Sequence, residues 1–149
     1  MLTRRIRKQI EWHFYNHKAD LALFNERRQD IMGSCTTVNY SGVGGKGGIS
    51  ISPTEKNAIR LEALDKMFEN RKDWFCVVRN TFLHFRHEPE HEIMIYMYTN
   101  NISRKQAVKE LCWNGDMWET VFDRMRDKWL TVAYKWAVEF GLMREERQW

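Results

Sequence analysis

Spacings of three and four between apolar residues run through almost every segment of this chain, which commits it to helices. Ile6, Ile10, Phe14, Leu21, Phe24 and Ile31 form the first such stripe, with His17 and Arg28 filling the same face, and predict an amphipathic helix over residues 3–31. The texture then changes: the stretch from Gly33 to Gly48 holds six of the chain's eight glycines and reads as a loop. Ser52 as N-cap, Pro53 at the first helical position and Glu55 as partner in a capping box close it and open a second helix. In that helix Leu61, Leu64, Phe68, Phe75, Val78, Phe82 and Phe85 keep the spacing, broken once at Arg71, at the period of a coiled-coil seam. Pro89 punctuates its end. A shorter helix over Glu90–Tyr98, a turn at Thr99-Asn100-Asn101, a capping box of Ser103 with Gln106 opening the next helix, and a tight turn at Trp113-Asn114-Gly115 follow. The last helix carries Trp118, Val121, Met125, Trp129, Val132, Trp136 and Phe140, with Gly141 as its C-terminal cap. No segment alternates with period two for long enough to be a strand, although Gly48–Ile51 could pair briefly. The expected class is all-α: a helical hairpin over residues 1–86 with its loop at 33–52, a helix-turn-helix bundle over 87–143, and a tail at 144–149.

A length of 149 residues is one domain, or a domain with an appendage. With 43% hydrophobic residues, 30% charged and two prolines, the chain can build a packed core. No apolar run approaches the roughly 18 residues of a membrane span, and the charged helix following Met1 to Arg5 leaves no place for a signal peptide. Three scattered cysteines, Cys35, Cys76 and Cys112, make no disulfide framework, so a soluble protein of a reducing, cytoplasmic compartment is expected. Net charge is +4, which suits a nucleic-acid partner, but its distribution is uneven. Residues 1–30 hold seven Lys/Arg against four Asp/Glu, whereas residues 87–149 hold nine against eleven.

The segment Arg104–Asp123 fits the helix-turn-helix template, which needs apolar residues where its helices touch and polar ones where the second faces DNA. Counted from Arg104, the contact slots fall on Ala107, Leu111, Trp113, Trp118 and Val121, all apolar, with Asn114-Gly115 in the turn. The slot after Leu111 is Cys112 rather than the usual Gly, and the small slot after Ala107 is Val108. The outward face would present Asn114, Asp116, Glu119, Thr120 and Asp123, of which three are acidic. Glu can accept from cytosine N4 in the major groove, yet a field of carboxylates repels phosphate. Arg104, Lys105, Lys109, Arg124, Arg126 and Lys128 are the cations placed to offset it. An ordinary bundle corner would show much the same pattern.

The order of these features resembles the late-gene transcription activators of phages and prophages of low-GC Gram-positive bacteria, the RinA/ArpU type. The likeness covers most of residues 30–143 and is sharpest at Pro53-Thr54-Glu55 through Ala58-Ile59-Arg60-Leu61. In that family the C-terminal half is similar to region four of sigma factors. The resemblance implies a supporting helix at Arg104–Leu111 and a recognition helix at Asn114–Lys128 entering the major groove, with Arg104, Lys105 and Lys109 on phosphates. It also implies activation through host RNA polymerase, with the hairpin serving homo-oligomerisation.

Other signals favour plainer readings. Gly42 to Gly47 matches GxGxxG, but no strand precedes it and the next helix opens only at Pro53, so a linker is preferred to a nucleotide site. His84, His87 and His91 with Glu88 and Glu92 could hold a metal, but Pro89 interrupts the helix that would align them. His13 and His17 read as polar insertions beside the core stripe. Trp118, Trp129 and Trp136 share one helix face and are expected in a core or a dimer seam rather than stacked on bases. Arg4, Arg5, Arg7 and Lys8 read equally as a solvated helix start and as phosphate contacts. The expected function is therefore a sequence-specific regulator binding double-stranded DNA and activating phage late genes, with no enzymatic activity and no cofactor or metal. The alternative is a helical phage packaging or assembly factor, a small-terminase-like oligomer.

Overall fold

A computed structural model describes residues 2–33, 53–113, 115 and 117–145, with the side chains of Pro53 and Trp113 excepted. The fold is all-α. Among the described residues there are six helices: α1 (Arg4–Gly33), α2 (Pro53–Met67), α3 (Glu69–His84), α4 (Pro89–Thr99), α5 (Arg104–Trp113) and α6 (Glu119–Glu139). Beyond Gly33 the glycine-rich stretch, with its GxGxxG match, Cys35 and the Ser52 cap, lies outside the described residues.

The helix boundaries follow local signals. Pro89 sits in the first turn of α4, where its missing N–H costs nothing. That helix ends in a Schellman turn: the Ile102 N–H reaches the Met97 carbonyl at 2.9 Å, with Asn101 between them at φ 53°. Ser103 then caps α5 by accepting from the Gln106 N–H at 3.2 Å. The expected reciprocal bond is replaced, because the Gln106 side chain donates to Glu110 at 3.3 Å. α6 closes in the same way as α4, with Leu142 N–H on the Ala137 carbonyl at 2.9 Å and Gly141 at φ 72°.

Two expectations change. The long second helix is two helices, interrupted at Phe68 without a proline or glycine to cause it. Contacts also divide the chain differently from the expected boundary at residue 86: residues 1–18 and 70–149 form one compact unit, and residues 19–69 a second. The Phe68 break falls at this division, so the residues before and after it bury in different units and no continuous coiled-coil seam runs from 61 to 85.

The first unit is built around Trp129 of α6, fully buried, whose ring stacks on Phe85 at 4.9 Å and meets Phe14 at 5.8 Å and Phe82 at 5.7 Å. Val77, Val78, Met94, Met97, Phe122, Leu130, Ala133 and Ala137 complete the core. Thus α3, α4, α5, α6 and the first turns of α1 supply one core, the reason residues 1–18 belong with the C-terminal helices. On α3 the buried face is Trp74, Val77, Val78 and Thr81, while Phe75 and Phe82 are only partly covered. The second unit buries Phe24, Leu64 and Phe68, with Phe24 and Phe68 meeting edge to face at 5.2 Å.

Candidate nucleic-acid interface

α5 and α6 form the corner that the helix-turn-helix pattern points to, but in an altered register. Ala107 is buried as that pattern requires. Leu111 and Val121 are half-buried. Trp118 is 81% exposed, against the expected core or seam position. The physical reason is that α6 begins at Glu119, not at Asn114. Trp118 is its N-cap residue, in extended conformation, so it never joins the helix face it was counted on. Phe122, absent from the template, takes the buried place. Five residues therefore separate the two helices, where a helix-turn-helix uses three or four.

The acidic face of α6 is compensated from within the protein. Arg104, at the start of α5, donates Nε to Asp123 Oδ1 at 2.8 Å and Nη2 to Asp123 Oδ2 at 2.7 Å, and Nη2 also reaches Glu119 Oε1 at 2.8 Å. The planar guanidinium matches the Asp123 carboxylate in a two-point clamp, stronger than a single contact. Hydrogen bonding to Arg104, its largest influence, holds the Asp123 carboxyl below its ordinary range. The same pairing, led by Asp123, raises the Arg104 guanidinium. Expected on phosphate, Arg104 is instead engaged with the helix behind it. One turn further along α6, Asp127 pairs with Arg7 of α1 at 2.8 Å.

Arg126, counted among the offsetting cations, also faces inward. Its Nε and Nη2 donate to the two oxygens of Glu11 at 2.6 and 2.8 Å, and the Tyr98 hydroxyl donates to the same carboxylate at 3.2 Å. Burial, then Glu11, pushes the Tyr98 hydroxyl far up, so it remains a neutral donor. This ties α1, α4 and α6 together. Lys128 lies 3.4 Å from Glu90 of α4 and 5.9 Å from the centre of the Phe85 ring. Glu90 is itself buried, and its second oxygen has no hydrogen-bond partner among the described residues.

Of the residues expected at DNA, then, Arg104, Glu119 and Lys128 are held in ion pairs. Lys105, Lys109, Thr120 and Arg124 are exposed. Asn114 and Asp116 lie outside the described residues. The two arginines that changed role, Arg104 and Arg126, carried no distinguishing sequence signal, since their partners are 15, 19 and 115 positions away. Elsewhere, His84 and His87 are exposed, and no group of three metal-ligating side chains comes together among the described residues. His13 stacks flat on Trp74, rings 3.8 Å apart, and burial with a smaller push from Arg71 lowers its pKa to about 4. No described helix is long and apolar enough to cross a membrane.

The class these observations define is an all-α protein with a compensated helical corner. No protein-family model matches the chain, nor does any curated protein or solved structure.

Proposed function

We propose that the protein binds double-stranded DNA through the α5–α6 corner and regulates transcription. The observation that carries this reading is the Arg104 clamp. It sets one positive charge against the carboxylates of Glu119 and Asp123, with Lys105 and Arg124 exposed beside them, so phosphate meets a corner less acidic than its sequence alone suggests. In this reading Thr120 and Arg124, exposed and one turn apart on α6, are the side chains that read base edges. By the resemblance to the RinA/ArpU-type activators, the target is a phage late-gene promoter and the second partner is host RNA polymerase.

The test is an anisotropy titration against random duplex and against fragments tiling the neighbouring genome, at low and near-physiological salt. One fragment retained at the higher salt supports the reading, and loss of all binding together overturns sequence recognition. Arg104→Ala, which frees two carboxylates beneath the DNA, is expected to weaken every duplex by about tenfold or more, with a stability cost under about 1 kcal/mol because the pair is largely exposed.

A second reading, a helical packaging or assembly factor, draws on the second unit. There Met32, Ile59 and Met67 are each at least half exposed, and Met67 lines a groove of about 450 Å³ with Ile31, Ala63, Leu64, Arg27, Asp30 and Arg60. Mass in solution separates the two: a ring of many copies favours assembly, a monomer or dimer favours the regulator.

A further inference from the structure

At the start of α1 a cleft of about 360 Å³ is lined by Leu2, Arg4, Arg7, Lys8, Glu11 and Arg126: four cations around one carboxylate. Two of the cations are fixed parts of its wall. Arg126 is locked on Glu11 by two bonds, and Arg7 is held by Asp127 at 2.8 Å and by the Leu2 carbonyl at 3.2 Å. The other two, Arg4 and Lys8, are exposed, make no ion pair with any described residue, and stand one helical turn apart. Like charges at that spacing repel, and the one carboxylate of the cleft, Glu11, is already engaged by Arg126. The first turn of α1 contains no acidic residue, so the positive end of the helix dipole adds to the same field. A positively charged cleft with two guanidinium groups held in its wall and two exposed cations at its edge has the chemistry that takes a phosphate group.

We infer that this cleft is a phosphate-binding site, separate from the α5–α6 corner, with Arg4 and Lys8 as the groups that close on the ligand. A phosphodiester of a nucleic-acid backbone and a free phosphate compound share this chemistry, and only the first case rests on the DNA-binding reading. If backbone phosphate is the ligand, the cleft is a second anchor, joined to α6 through the Arg7–Asp127 pair in its own wall.

The experiment compares the full chain with an Arg4→Ala/Lys8→Ala double variant and with Arg5→Ala. Arg5 is an exposed neighbour of equal charge that does not line the cleft. All three substitutions are at exposed positions, and circular dichroism checks that the helices persist. Each protein is titrated with labelled duplex DNA over a series of salt concentrations, and separately with inorganic pyrophosphate by calorimetry. For backbone phosphate, the double variant loses about one to two units of the salt-dependence slope while Arg5→Ala retains it. For a free phosphate, pyrophosphate binding falls about tenfold in the double variant alone and the duplex slope does not move. If the wild-type chain binds no duplex, the DNA reading fails and the pyrophosphate titration still decides the cleft. Equal losses in Arg5→Ala and the double variant, or no pyrophosphate heat together with an unchanged duplex slope, overturn the site.

Discussion

The two units of this chain solve different problems with the same helical material. The unit of residues 1–18 and 70–149 buries Trp129, Phe85, Phe122 and Phe14 in one contact network and holds the largely buried Glu11–Arg126 pair beside it. The unit of residues 19–69 has only Phe24, Leu64 and Phe68 as buried apolar side chains among its described residues, and it leaves Ile59 and Met67 more than half exposed. The contrast lies in how many apolar side chains are buried together, since stabilisation grows with the apolar surface removed from water. The first unit is a scaffold that fixes charged groups in place. The second offers apolar surface.

The comparison can be broken most directly at its cores. Trp129→Ala is expected to cost about 3–5 kcal/mol, read by urea unfolding, and Phe24→Ala distinctly less, because its surroundings can collapse onto the gap. Equal losses would mean that the second unit is as tightly packed as the first. Next comes the Glu11–Arg126 pair. Arg126→Met leaves the Glu11 carboxylate buried without its guanidinium and should cost about 3 kcal/mol. Adding Glu11→Leu should recover most of that, and failure to recover would show that Arg126 acts through packing rather than charge.

The smallest effect concerns His13. Its folded pKa of about 4 lies below the ordinary 6.5, chiefly through burial and then through Arg71. As pH falls, the unfolded chain therefore takes up this proton first. Stability present above pH 6.5 is lost between 6.5 and about 4. The loss is at most about 1 kcal/mol, since solvent still reaches the ring and screens it. His13→Phe keeps a ring against Trp74 and should flatten that part of the acid limb in denaturation curves taken across the window.

The turns were legible because each is written in residues adjacent to it. Pro89, Asn101, Ser103 and Gly141 punctuate the chain where capping chemistry demands. The exposed face of the corner was legible only in part. Lys105, Lys109, Thr120 and Arg124 are exposed as helical periodicity expects, yet Trp118 was assigned to the core by the same count. A shift in where a helix begins moves a residue off its face, and Asn114 to Trp118 contain several possible starts. The basic cleft had one sequence signal, the Arg4 and Lys8 spacing, but its rigid wall depends on Arg126 from the far end of the chain.

By itself the sequence determined that the chain is helical and where four of its turns fall, because periodicity and capping act over a few residues. Tertiary structure decided that the long second helix breaks at Phe68, that Arg104 faces Glu119 and Asp123, and that Arg126 turns inward to Glu11. Charge pairing depends on distance in space, and a count along the chain carries no distance between residues 115 positions apart until the core has brought them together.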